Sequence, residues 1–333
     1  MKIAIIGSKA ADSLEANLDE TFHFHQHECQ IFDIMDRSLT KNKYGLQLDA
    51  MARHFFDKYD KRLFTKLARQ VTDYMPDLTI CVYRFIHPVF VTYIKENTQS
   101  IVVHFNPDAL TTFEYQQVFA SDYDVWFTKD PYIVRFMRNN MKLNAILYQE
   151  AFNPRLHPKP NITKAEAEKE SGIDICTYGT IYPYRSRMLN QIIQTGLNIT
   201  IYGTKPNRFY DSKLDKAFTN KYITGKEKAK VLYGSKIVFN QMHYAEIESM
   251  NNRFFEANGC GAFQLVDYRP ILHEILPISP ELVSFKSIDE GIEKIKYYLG
   301  KSQERHEIAS KIYNHFINHF SYDHLIKHIL SNI

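Results

Sequence analysis

The stretch ESMNNRFFEANGCGAFQLVD, residues 248–267, reads in succession as a loop, a short helix and a buried strand. Asn251 and Asn252 stand where a helix N-cap is favoured, Phe254, Phe255 and Ala257 supply an apolar face, and Gly259-Cys260-Gly261 ends the helix. The apolar run that follows from Ala262 has the make-up of a strand. A helix that hands over to a strand through a glycine turn is part of a β-α-β unit, which predicts a largely parallel sheet covered by helices.

Working outward, the same alternation recurs in both directions. KIAIIG (2–7), LTICVYR (78–84), SIVVHFN (100–106), VWFTKD (125–130) and AILYQEAF (145–152) are strand-like runs separated by helical stretches. DICTYG (174–179), NITIYG (198–203), KIVFNQ (236–241), AFQLVD (262–267) and LVSFKS (282–287) form a second series. At 333 residues the chain exceeds what one core usually serves, so two doubly wound α/β domains are expected. The prolines of NPRLHPKPN (153–161) exclude a regular helix or central strand and place the break there. The expected division is 1–153, a linker at 154–161, 162–315, and a C-terminal helix over 316–333. Ile308, Ile312, Phe316 and Phe320, then Leu325, Ile326 and Ile329, have helical spacing with a break at FSYD. Ten of the twelve glycines lie after residue 171, which directs the search for close ligand contact to the second half, although many will be ordinary turns.

Composition excludes several classes. Hydrophobic residues at 44% and charged residues at 24% describe a globular chain, and no apolar run approaches the ~20 residues of a membrane span. The N-terminal apolar run is shorter than a signal-peptide core, so it reads as a first strand and a cytoplasmic location is expected. A net charge of +3 is too mild for a nucleic-acid footprint. Cys29, Cys81, Cys176 and Cys260 are scattered, as reduced thiols would be. IAIIGSKAADS has only Gly7 where a dinucleotide fingerprint needs three glycines, and no P-loop occurs. Gly7 and Ser8 leave two readings open: space for a ligand at the sheet edge, or a simple turn.

Arg253 sits in the first turn of the 251–259 helix. A cation there opposes the helix macrodipole, which points to an external anion. Helix amides and a guanidinium together suit a diphosphate. Glu248, in the preceding loop, and Glu256, one turn into the helix, are placed to accept hydrogen bonds from sugar hydroxyls. Two glutamates at this spacing also arise by chance; the Asn, Arg and Gly around them give the pair its weight.

Four motifs, the opening stretch among them, carry a resemblance: YGTIYPYRSRMLNQIIQTGLNITIYG (178–203), YITGKEKAKVLYGSKIVFNQMH (222–243), NNRFFEANGCGAFQLVDY (251–268) and IEKIKYYLGKSQERHEIASK (292–311). The span 174–330 resembles the catalytic half of group 1 glycosyltransferases, in particular the CgeB-like branch, and VVHFNPDA (102–109) and YDVWFTKDPYIVRFMR (123–138) extend the likeness to the first half. The resemblance implies a GT-B fold: two Rossmann-like domains facing across a cleft, with the last helix returning to the N-terminal domain. It implies a nucleoside-diphosphate sugar as donor substrate and no cofactor. By position, Glu256 matches the ribose contact, Glu248 the contact to the transferred sugar, and Asn251, Asn252 and Arg253 the diphosphate end. Tyr182 and Arg185 match the loop after the first strand of that domain. The chain carries both Arg185 and Arg187 where an arginine and a lysine are common, so which of them meets phosphate stays open.

Positive charge from these groups stabilises a departing diphosphate without a metal ion; the family most often retains anomeric configuration. For an acceptor base, Asp108 follows the strand at 100–106 and His104 stands near its end, where parallel sheets meet ligands, and Asp108 equally suits a helix cap at Ala109. His87 is a lesser candidate. His23, His25 and His27 would share a face if extended, but with no fourth ligand a solvated edge is the plainer reading and no metal site is expected. Lys61, Arg62, Lys66 and Arg69 lie on one helix, either as a solvated face or as a surface for an anionic, lipid-linked or polymeric acceptor at the inner membrane face. The acceptor, whether glycan, lipid-linked glycan or protein, is not specified by the sequence. A non-catalytic nucleotide- or carbohydrate-binding module and a nucleotide-sugar epimerase remain alternatives to a glycosyltransferase.

Overall fold

A computed structural model describes residues 1–37, 43–83, 85–110, 114–206 and 208–333. Arg84, at the end of one expected strand, lies outside the described residues. The chain forms two compact units, Met1–Gln149 with Leu325–Ile333, and Glu150–His324. The proline-rich stretch 153–161 belongs to the second unit and is tied down within it. There Asn153 Oδ1 accepts from the Arg155 and Leu156 amides, and Arg155 pairs with Asp323 at 2.9 Å. Residues 316–324 also belong to the second unit; the returning segment begins at Leu325.

The first unit is a six-stranded, all-parallel sheet. Its strands are β1 (Lys2–Ile6), β2 (Glu28–Phe32), β3 (Leu78–Cys81), β4 (Ile101–Asn106), β5 (Val125–Thr128) and β6 (Ala145–Leu147), in the order β2-β1-β3-β4-β5-β6. β2 was not foreseen, because Glu28 and Gln30 interrupt its apolar pattern. Helices cover both faces, so β3 and β5 are buried at every position, as parallel strands require. Helix starts are set locally: Ser13 caps Leu14–Phe24, and Asp130 with Pro131 opens Pro131–Met141. Phe64, Leu67, Phe90, Ile94 and Trp126 pack between helices and sheet. From the C-terminus, Leu325, Ile326 and Ile329 are buried, and His328 Nε2 lies 2.9 Å from the Leu147 carbonyl.

The second unit repeats the plan with β7 (Ile175–Tyr178), β8 (Ile199–Tyr202), β9 (Ile237–Asn240), β10 (Gln264–Asp267) and β11 (Ser284–Phe285), ordered β11-β10-β9-β7-β8 and parallel throughout. In each sheet the first strand in sequence lies between the second and the third. The topology therefore reverses direction at β1/β3 in one unit and at β7/β9 in the other, where ligands of such sheets bind beyond the strands' C-terminal ends. Leu189, Ile201, Phe254, Leu265 and Phe316 fill the core, and Phe239 stacks on Phe285 at 4.9 Å.

A buried charge cluster joins the early and late helices of this unit. Glu168, on the helix Lys164–Ser171, accepts from Arg305 at 2.7 Å. Lys164 donates to the Ser235 carbonyl at 2.8 Å, and burial pulls its ammonium down to about 8. The four cysteines are free and buried, and no described helix is long and apolar enough to cross a membrane.

Candidate functional site

Two arginines converge on the β7/β9 reversal. The helix Asn252–Gly259 starts beside it, and Arg253 in its first turn donates from Nη1 to the Tyr178 carbonyl at 3.0 Å and from Nη2 to the Gln241 carbonyl at 2.8 Å. One guanidinium thus spans the ends of the two strands. Gly179, which follows β7 with φ +87°, lets the chain turn away there, and a Cβ at that position would stand 3.4 Å from Arg253 Cδ. Arg185, on the helix Pro183–Gln194, is 1% exposed; it donates to the Thr180 carbonyl, to Thr177 Oγ1 at 3.1 Å and to Gln241 Oε1 at 3.4 Å. Burial, then the neighbouring Arg253 charge, pushes its pKa down. Guanidinium nevertheless keeps its proton in proteins.

Among the described residues neither Arg185 nor Arg253 pairs with a carboxylate, and the Gln241 side-chain amide nitrogen, fully buried beside them, has no acceptor. Asp267, at the end of β10, is the acidic group nearest in effect, but it accepts from the Met242 amide at 2.7 Å, and burial raises its pKa to about 6. A buried guanidinium beside a half-buried one, with an orphaned donor next to them, favours an anion by its electrostatics. Arg187 is exposed on the outer side of its helix. The two candidates are therefore distinguished: the structure brings Arg185, not Arg187, to Arg253.

The helix start is held by amides. Asn251 caps it by accepting from the Phe254 amide at 3.0 Å, and the Asn251 side chain exchanges hydrogen bonds with Asn240 at 3.0 and 3.2 Å, while Asn240 also donates to Gln264 Oε1 at 2.8 Å. Asn251 is thus a structural group. Asn252 donates to Glu256 Oε1 at 3.1 Å and keeps a buried Oδ1 with no partner among the described residues. Glu256 is buried; Oε1 pairs with Lys228 at 2.7 Å and Oε2 accepts from the Tyr178 hydroxyl at 3.1 Å. Lys228 and Asn252 take both lone pairs of Oε1, so acceptor capacity for a hydroxyl remains on Oε2 alone. Glu248 lies half-buried in the loop that runs from β9 to the helix.

That loop carries a feature sequence reasoning missed. His243 stacks on Tyr244 at 4.5 Å, and Tyr182 meets His243 edge-on at 5.6 Å. The Tyr184 hydroxyl is bound to the Met242 carbonyl. Tyr182 and Tyr244 are exposed, so the arginine pair is bordered by an aromatic surface able to stack on a flat or apolar ring face. The signal was the recurrence of aromatics in YPY and HY on either side of the reversal.

In the first unit the expected ligand space is taken by the protein. Beside Gly7 a Cβ would fall 2.3 Å from Glu15 Oε1, and that carboxylate accepts from the Ser8 amide at 2.7 Å. Gly7 is needed for Glu15, and Ser8's amide is not offered outward. His104 is a core residue, packed on Tyr123 and Trp126, with burial lowering its pKa to about 4; a solvent-facing base is excluded because both sheet faces are covered. Asp108 sits half-buried in the turn after β4, where its amide donates to Asn106 Oδ1 at 3.2 Å. His87 caps the helix Pro88–Asn97. His23 lies in the helix Leu14–Phe24 and His27 beyond it, so the three histidines do not share an extended face.

Comparison with known proteins bears on the fold and the class of protein. Residues 185–331, which hold both arginines and both glutamates, match the family described as "Glycosyl transferase-like". Spore protein CgeB of Bacillus subtilis is 23% identical over 232 residues, covering 60% of this chain and 72% of that protein. Among solved structures, sucrose-phosphate synthase of Thermosynechococcus elongatus superposes with a TM-score of 0.72 at 11% identity over 99% of this chain and 98% of that one. Anabaena HepE, solved with UDP and glucose, gives 0.68 at 12% identity over the full length of both. Two parallel α/β units, a glycosyl transferase-like segment and a CgeB relative support a glycosyltransferase of GT-B fold, similar to the CgeB-like branch of group 1.

Proposed function

We propose that the protein transfers a sugar from a nucleoside-diphosphate sugar to an acceptor hydroxyl, without a metal ion and with retention of anomeric configuration. The observation that carries the reading is the pairing of Arg185 and Arg253, two guanidiniums with no carboxylate partner among the described residues, over the β7/β9 reversal. A departing diphosphate gathers negative charge as the anomeric bond breaks, and preorganised cations next to a helix start stabilise that charge more than the ground state. In this role Arg253 bridges the two strand ends and meets the diphosphate, Arg185 supports it from below, and the backbone amides of the helix start at Asn252 complete the donor set. Glu256 accepts from the ribose while held by Lys228 and Tyr178, and Glu248 accepts from the transferred sugar. HepE, of the same fold, has been solved with UDP-glucose, which supports a nucleotide sugar as the donor class.

The test is release of nucleoside diphosphate from a panel of nucleotide sugars, with and without chelator, alongside thermal shifts by the free diphosphates. Arg253→Ala is expected to lose about 10–100-fold in diphosphate affinity, the scale of a charge-assisted hydrogen bond. Undiminished binding by that variant would remove the basis of the reading.

A further inference from the structure

The helix Lys43–Phe55 is amphipathic in the inverted sense. Tyr44, Leu48, Met51 and Phe55 recur at helical spacing on one face, and together with Phe56 they are 57–77% exposed. The polar face is the one turned to the protein. Asp49 accepts from the Tyr59 hydroxyl at 2.6 Å, and Arg53 lies 3.7 Å from Asp49 and 4.0 Å from Asp60 of the next helix, Asp57–Tyr74. A surface helix ordinarily buries its apolar stripe, so one that spends its charges inward and presents aromatic and aliphatic groups outward is built to meet something apolar.

The adjoining helix says what. Where the apolar stripe ends at Phe55 and Phe56 a cationic one begins: Lys58, Arg62, Lys66 and Arg69 repeat at helical spacing, with Lys61 beside them, and all five are exposed with no ion pair among the described residues. The opposite face of that helix, Phe64, Leu67 and Val71, is committed to the core. An exposed apolar face followed along the chain by unpaired, exposed lysines and arginines matches a surface that is hydrocarbon beneath and anionic at the top.

We infer that the Lys43–Phe55 and Asp57–Tyr74 helices seat the first unit on an anionic lipid surface, with Leu48, Met51 and Phe55 entering the acyl boundary and the Lys58–Arg69 stripe lying against acidic headgroups. This assignment is independent of the sugar-transfer reading, since none of its residues belongs to the arginine site.

The experiment is flotation of the full chain with vesicles of phosphatidylcholine alone and of phosphatidylcholine mixed with phosphatidylglycerol. The protein is expected to float with the mixed vesicles, weakly or not at all with the neutral ones, and to release in high salt. Leu48→Asp with Phe55→Asp should abolish flotation. Lys61→Glu with Lys66→Glu should weaken it by more than about tenfold, given roughly fivefold per cation near such a surface. The second pair touches only exposed charges, so it keeps the test valid if the first disturbs folding. Absence of flotation with anionic vesicles, or equal flotation by the charge-reversed variant, would overturn the inference. So would self-association in the absence of vesicle binding that Leu48→Asp with Phe55→Asp removes; the face would then belong to a second copy.

Discussion

Glu248 and Glu256 look alike in the sequence but occupy different environments, and substitution should separate them. Glu256 is buried against Lys228, so Glu256→Ala strands a buried ammonium and should cost about 3–5 kcal/mol of stability, read as a lower denaturation midpoint. Glu248 is half-buried in a loop. Glu248→Ala is expected to leave the midpoint and diphosphate affinity nearly unchanged while sugar transfer is lost; full activity would reject its role. Asp267 gives a prediction in pH. Its folded pKa of about 6 lies above the ordinary carboxylate value because burial disfavours the charge. The stability linked to its protonated form is complete below about pH 4 and is lost as pH rises through about 6, on the order of 3 kcal/mol. Asp267→Asn should flatten that segment of the stability profile, measured by denaturant titration at successive pH values. The sequence announced an arginine after β7 but not which one. Two residues apart on a helix is about 200° of rotation, so Arg185 and Arg187 cannot face the same strand ends, and only the packing of Pro183–Gln194 decides between them.

At the scale of elements, the helix Asn252–Gly259 was legible almost to the residue, because its cap, apolar face and glycine stop are local signals. The reason its cap matters was not local. Asn251 also meets Asn240 and, through it, Gln264, which come from β9 and β10. Asn251→Ala therefore removes a cap and leaves a buried amide short of a partner, an expected loss of about 2–4 kcal/mol in thermal or chemical unfolding. The ten strands with unbroken apolar runs were readable. β2 was not, since its Glu28 and Gln30 face outward at the sheet's edge and the preceding His23–His27 run mimics a strand while part of it finishes a helix. His104 misled for the opposite reason: it stands in a polar-looking strand end, yet β4 is central and covered on both faces.

For the molecule as a whole, the chain order and the spatial division differ, because Leu325–Ile333 rejoins the first unit after the second is complete. Removing those residues deletes three buried aliphatic side chains from the first unit, worth on the order of 5 kcal/mol. The single tryptophan, Trp126, is buried in that unit, so its fluorescence melt should fall by roughly 10–20 °C in the truncated chain. An unchanged melt would show that the last helix contributes nothing to the unit it joins. Neither the return nor its site of docking follows from helical spacing alone, which gives a helix but no address.

Glu15, lodged against Gly7 and Ser8, has a practical corollary for chemical probes. One of two topologically equivalent crevices already holds its own carboxylate, a built-in occupant of the same sign as a nucleotide's phosphates. Photoreactive nucleoside-diphosphate analogues should therefore crosslink to peptides drawn from Tyr178–Tyr184 and Gln241–Glu256 and leave the amino-terminal strand unlabelled, a pattern that peptide mass mapping reads directly.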